Sequence, residues 1–161
     1  MESGEKGRAK KVMVAVDESD CSHYALEWML NNLRECCSPS SPLILFNVQS
    51  IVDLGLLAAA SHGGAPPELI QSVSEQQKKF SMALLEKAKA MCDKEGVAAN
   101  MISEVGDPKD AICGAVERLN VNLLILGSRG RGLLKRTFLG SVSNYCVHNA
   151  PCSVLVVKKK T

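Results

Sequence analysis

Short apolar runs and longer segments with helical spacing alternate along the whole chain, and this alternation restricts the fold more than any single motif. "KVMVAVD" (11–17), "PLILFNVQ" (42–49), "VAANMIS" (97–103), "VNLLILG" (121–127) and "CSVLVV" (152–157) read as strands. Most are apolar at successive positions, as strands buried on both faces are. Between them, Leu26, Met29, Leu30 and Leu33 recur at i, i+3, i+4 and i+7 and predict a first helix over about 21–36. Pro66 and Pro67 open a second, in which Ile70, Val73, Phe80, Leu84 and Met91 form the expected buried stripe to about residue 95. In "GDPKDAICGAVERLN", Asp107 can cap a third helix, Pro108 suits its first turn, and Ile112, Ala115, Val116 and Leu119 form its apolar face. A short fourth helix is expected from near Ser141 to before Pro151. Strands alternating with crossovers of helical length predict a parallel sheet with helices on both faces and right-handed connections.

A chain of 161 residues, 46% hydrophobic and 22% charged, suffices for one such domain. Residues 10–158 are expected to form it, with 1–9 as an N-terminal arm and 159–161 as a tail. A net charge of +2 gives no basic face for nucleic acid or an anionic membrane, and no run approaches the ~20 apolar residues of a bilayer span. Neither partner is expected. The charged opening "MESGEKGRAKK" has no apolar stretch behind it and does not read as a signal peptide. With seven cysteines and no C-x-x-C pair, reduced thiols in a cytoplasmic setting are expected, without zinc. A redox pair at Cys36 and Cys37 is a minor alternative. No Ser or Cys at a recognisable elbow accompanies His23, His62 and His148, so a hydrolase triad has no support.

In an open parallel sheet the ligand crevice lies at the carboxyl ends of the strands, where the strand order reverses. The loops after Asp17, Val48 and Leu126 therefore converge in principle, and residues 50–66, which lack a strong period, could fold over them as a flap. The third loop, "GSRGRGLLKRTFLGS" (127–141), carries four glycines and the cations Arg129, Arg131, Lys135 and Arg136. Glycines let backbone N–H groups approach a ligand closely, and a helix start at Gly140-Ser141 would add free amides and the positive end of the dipole, which suits phosphate. Gly127 and Gly132 have P-loop spacing, but Leu133 and Leu134 stand where Lys and Ser/Thr are needed. Gly130 and Gly132 begin a dinucleotide fingerprint, but Lys135 replaces its third glycine and the motif follows the fourth strand rather than the first.

Gly127-x-x-Gly130, nine residues, then Gly140-Ser141 resembles the nucleotide loop of the universal stress protein family. "VMVAVDESDCS", "VGDPKDAI" and "APCSVLVVK" resemble that family's opening strand, the segment before its third helix and its closing strand, so the likeness covers about 10–158 and is nearest to plant single-domain members. The resemblance implies a five-stranded, Rossmann-like α/β fold of the adenine nucleotide alpha hydrolase type. It further implies binding of ATP or AMP, with Mg2+ accompanying ATP, a homodimer, and a role in the stress response. It would set Ala15, Val16 and Asp17 beside adenine and ribose and Val48 against the base. Gly127, Arg129 and Gly130 would wrap ribose and α-phosphate, and Gly140, Ser141, Val142 and Ser143 would hold the outer phosphates. Independently of the family, a carboxylate at a strand end can accept from ribose hydroxyls or adenine N6, and hydroxyls at a helix start can donate to phosphate. The plainer readings are a turn or capping carboxylate for Asp17, against which its place beside the reversal point counts, and a flexible connection for the loop, against which the glycine spacing counts. A regulatory nucleotide-binding module is the first reading; a slow ATPase of the same fold and a chaperone or redox-interaction protein are the alternatives. The apolar last strand, if at an edge, would pair with its copy across a two-fold axis through residues 152–158.

Overall fold

In a computed structural model of the chain, which describes residues 10–50, 66–129 and 139–159, the alternating side chains of the strands separate into two apolar layers. The strands are β1 (Val12–Ala15), β2 (Leu43–Ser50), β3 (Ala99–Gly106), β4 (Leu123–Gly127) and β5 (Ser153–Val157). The helices among the described residues are α1 (Asp20–Asn32), α2 (Pro67–Lys94), α3 (Pro108–Arg118) and α4 (Ser141–Asn149), with a 3-10 turn at Arg34–Cys36. All strand pairs are parallel, in the order β3-β2-β1-β4-β5. Val12, Val14, Leu43, Leu45 and Ile125 face α1 and α2, while Met13, Ile44, Phe46, Leu124 and Leu126 face α3 and α4. This is the expected five-stranded sheet covered on both sides.

Local chemistry explains the element boundaries. The N-cap of α1 is Ser19, whose Oγ accepts the Ser22 N–H at 3.1 Å, and Asp107 caps α3 by accepting the Lys109 N–H at 3.2 Å. Two helices end on the same device. After α2, Gly96 sits at φ 69°, its N–H reaches the Asp93 carbonyl and the Val97 N–H reaches Cys92. After α3, Asn120 at φ 53° does the same, with bonds from Asn120 to Glu117 and from Val121 to Val116. Glycine and asparagine are the residues that best tolerate this left-handed position. Val97 and Val121 are buried as the apolar closure of these turns, so β3 and β4 begin two residues later than their apolar runs suggest.

The buried seam of α2 differs from the expected stripe. Ser81, Leu85, Ala88 and Cys92 face the sheet, whereas Ile70 and Phe80 are exposed and Val73, Leu84 and Met91 lie half-buried beside the seam. A 28-residue helix is about 42 Å long, while the eight-residue β2 and β3 beneath it span about 26 Å, so its N-terminal half extends past the sheet. The helix that starts the first crossover also ends sooner than its periodicity indicates, because the chain tightens into the 3-10 turn after Leu33.

Candidate functional site

The chain reverses direction of growth across the sheet between β1 and β4: β2 and β3 are added on one side, β4 and β5 on the other. The crevice at the carboxyl ends of these two central strands is the expected ligand position, and a cavity of about 640 Å³ opens there. Ala15, Val16 and Asp17 line it from the end of β1, Val48 from β2, Gly127 and Arg129 from β4, and Gly140, Ser141, Val142 and Ser143 from the start of α4. The structure thus brings together ten of the eleven residues singled out by the sequence. Gly130, with Arg131, Lys135 and Arg136, lies outside the described residues, as do residues 51–65.

The turn between β1 and α1 is fixed by its own side chains. The Ser19 N–H donates to Asp17 Oδ1 at 2.8 Å, and the Asp17 N–H donates to Ser22 Oγ at 2.9 Å. Asp17 therefore does hold a turn, yet it also lines the cavity, so the two readings of this carboxylate are compatible. Ser19, besides capping α1, donates its hydroxyl to the Arg129 carbonyl at 3.4 Å and joins the two loops that flank the reversal point.

Gly127 has a packing reason to be glycine. A Cβ built there would lie 2.7 Å from the carbonyl carbon and oxygen of Cys21 and 2.9 Å from the Ser22 nitrogen, all backbone atoms of the first turn of α1. That closeness draws the helix start against the strand end and narrows the crevice to its present shape. Beyond Gly127, the Ser128 carbonyl accepts from the Gly140 N–H at 2.7 Å and from Ser143 Oγ at 3.0 Å, while the Ser128 N–H donates to Val157. These bonds fasten both ends of the loop between β4 and α4. Ser143 Oγ also donates to Gly140 at 3.1 Å, so its hydroxyl proton is committed to backbone and its contribution toward the cavity is its N–H.

The start of α4 differs from those of α1 and α3. Gly140 is its N-cap and offers no side chain, so no hydroxyl or carboxylate of the helix covers the first-turn amides of Ser141, Val142 and Ser143. Ser141 is exposed, with its hydroxyl available at the same mouth. Uncapped amides carry the positive end of the helix dipole and are suited to an anion. The Asp17 carboxylate lines the same crevice, so one cavity has an acceptor after β1 and a donor cluster at α4.

Sequence reasoning did not identify the wall that α2 supplies. Gln76, Gln77, Phe80 and Ser81 line the cavity opposite the α4 end, with Asn47, Gln49 and Ser50 of β2. Behind them runs a polar chain of one sense. Gln49 Nε2 donates to Ser103 Oγ at 3.0 Å, Ser103 donates to Ser81 at 2.8 Å, Ser81 donates to Asn47 Oδ1 at 2.5 Å, and Asn47 Nδ2 donates to the Val16 carbonyl at 2.7 Å. Every buried polar side-chain atom among the described residues is satisfied in this way or similarly. The one available signal was Asn47 within the apolar run Leu43–Val48, since a buried carboxamide needs partners.

None of the seven cysteines lines the cavity. All seven are free, and none clusters with His, Asp or Glu as a metal site among the described residues. Burial pushes Cys37 and Cys92 up to about 11 and Cys146 up to about 12, so these thiols stay protonated and pack as small apolar groups. No helix among the described residues is long and apolar enough to cross a membrane.

The fold and the crevice define a doubly wound α/β protein with a cleft at its reversal point, lined by the first turn of α4 and by carboxamides of β2 and α2. Comparison with known proteins identifies the lineage: residues 8–158 match the universal stress protein family, and the chain belongs to it. It is 33% identical to a universal stress protein A-like protein of Arabidopsis thaliana over 158 residues, covering 92% of this chain and 90% of that one. A universal stress protein family protein from Arabidopsis thaliana, solved with AMP bound, superposes with a TM-score of 0.66 at 28% identity over 94% of this chain and 93% of that one. The solved hypothetical protein MJ0577 shares the fold with a TM-score of 0.77 at 23% identity, over 95% and 98% of the two chains.

Proposed function

We propose that this universal stress protein binds an adenine nucleotide, ATP or AMP, in the crevice and acts as a stress-response regulatory module without fast chemistry. The observation that carries the reading is the uncapped start of α4, whose amides open into the same cavity as Asp17. Phosphate oxygens would sit on the Ser141, Val142 and Ser143 amides and the Ser141 hydroxyl, where the dipole and free N–H groups favour negative charge. Gly127, Arg129 and Gly130 would wrap the ribose and α-phosphate. Asp17 would accept from ribose hydroxyls or adenine N6, and Ala15, Val16 and Val48 would flank the sugar and base. Magnesium, where ATP is the guest, would be held chiefly by phosphate oxygens. The AMP carried by the Arabidopsis relative supports the choice of adenine nucleotide.

Calorimetry with ATP, AMP, GTP and NAD tests the reading. Binding of AMP or ATP in preference to GTP is expected, and no adenine-nucleotide binding at millimolar ligand would reject it. Assembly is part of the same reading. β5 lies at the edge of the sheet, where an apolar strand with unpaired backbone invites a copy of itself. A homodimer through residues 152–158, in the cytoplasm, is the expected state; a monomeric mass by light scattering at micromolar concentration would count against it.

A further inference from the structure

The half of α2 that extends past the sheet still contributes to the cavity. Phe80 lines it while remaining 55% exposed, although the seam that holds this helix to the sheet begins at the very next residue. The helix is pinned at that point. Ser81 donates to Asn47 Oδ1 of β2 and accepts from Ser103 of β3, so the backbone carrying Phe80 is tied to two strands. Aromatic residues are scarce in this chain, with three Phe, two Tyr and one Trp in 161 residues. Among the described residues, only Phe46 and Phe80 of these line the cavity, and Phe46 is fully buried in the sheet, offering no free ring face.

The position of Phe80 is complementary to that of the helix amides. The start of α4 stands beyond β4, whereas α2 packs over β2 and β3, with β1 between β2 and β4 in the sheet. A ligand with an anionic group at one end and a flat aromatic group at the other matches a cavity with uncapped amides at one end and an accessible ring at the other. Beside the ring, Gln76 and Gln77 supply polar groups that can meet the edge of a heterocycle.

We propose that Phe80 is a positioning residue on whose ring the planar base of the bound nucleotide stacks. The inference rests on the nucleotide reading above and adds a contact that neither the loop motif nor the family likeness supplies. Aromatic stacking acts on the face of the base, so it adds affinity for any base and none for a sugar phosphate.

The test uses the full chain and two ligands, AMP and ribose 5-phosphate, which differ by the base. Calorimetry on wild type, Phe80→Ala and Phe80→Trp should show AMP weakened about 5- to 150-fold in Phe80→Ala and regained in Phe80→Trp, with ribose 5-phosphate within about twofold throughout. The fluorescence of 2-aminopurine riboside 5′-monophosphate should be quenched on binding wild type and largely unquenched on saturating Phe80→Ala. Because Phe80 is more than half exposed, both variants should melt as the wild type does. Equal AMP affinity in wild type and Phe80→Ala, or an equal loss for both ligands, would overturn the assignment. Failure of the wild type itself to bind AMP would refute the nucleotide reading, and this one with it.

Discussion

Gly127→Ala isolates the step at which helix and strand determine the shape of the crevice. The added methyl would meet backbone atoms of Cys21 at 2.7 Å and of Ser22 at 2.9 Å, where carbon contacts settle at about 3.5–4.0 Å, so the first turn of α1 or the end of β4 must move by about 0.8 Å or more. Neither is a flexible side-chain end. Overpacking of this kind costs about 1–3 kcal/mol, and a clash with backbone belongs at the upper end. The stiffer unfolded chain returns about 0.4–1 kcal/mol, which leaves a net loss near 2 kcal/mol. For a domain of this size each kcal/mol moves Tm by about 2–4 °C, so Tm should fall by about 4–8 °C in differential scanning calorimetry. Gly114→Ala provides the control of opposite sign. Gly114 lies inside α3 and its nearest neighbour would be Arg118 Nη1 at 3.8 Å, so helix propensity should dominate and raise stability by about 0.5–1 kcal/mol. If Gly127→Ala melts with the wild type and loses only ligand affinity, the glycine serves the ligand and not the helix, and the packing argument is refuted.

Asn47→Ala should cost about 1–3 kcal/mol in urea denaturation, because it strands the buried Ser81 hydroxyl and removes the donor to the Val16 carbonyl; a loss below about 0.5 kcal/mol would mean the polar chain is dispensable. Asp107→Ala removes the cap of α3 and should lower stability by about 1 kcal/mol, with Asp107→Ser recovering most of it in the same assay. The thiols give a pH signature. Cys92 at about 11 and Cys146 at about 12 stand above the ordinary 9.0, so the folded state holds these protons more tightly than the unfolded one. Their contribution is complete below about pH 9, declines as the unfolded thiols ionise, and is lost through the folded values. Between pH 9 and 11 the wild type should therefore lose stability more steeply than Cys92→Ala/Cys146→Ala, and parallel slopes would contradict the assignment.

The order of elements, the parallel sheet and the cavity lining at the ends of β1 and β4 and the start of α4 are legible in the amino-acid sequence. Apolar period reports burial and period together, and the spacing from Gly127 to Ser141 is local to one loop. Asp107, Pro108, Ile112, Ala115 and Val116 could be placed on α3 because cap, first turn and stripe all lie within a few residues of one another. The register of α2 was not legible in this way. Its apolar residues recur on more than one face, and a helix longer than its strands buries only the part that has a sheet beneath it, so the seam fell on Ser81 and Leu85 and left Phe80 at the cavity.

The sequence by itself determined which segments become strands and helices, because propensity, caps and periodicity act over neighbouring residues. Only the tertiary structure decided that Gly127 is required by the backbone of Cys21, that Ser143 gives its hydroxyl to Ser128, and that Asn47, Ser81 and Ser103 form one chain of hydrogen bonds. Each of these joins residues far apart in the chain, and burial leaves polar groups no partner but one another.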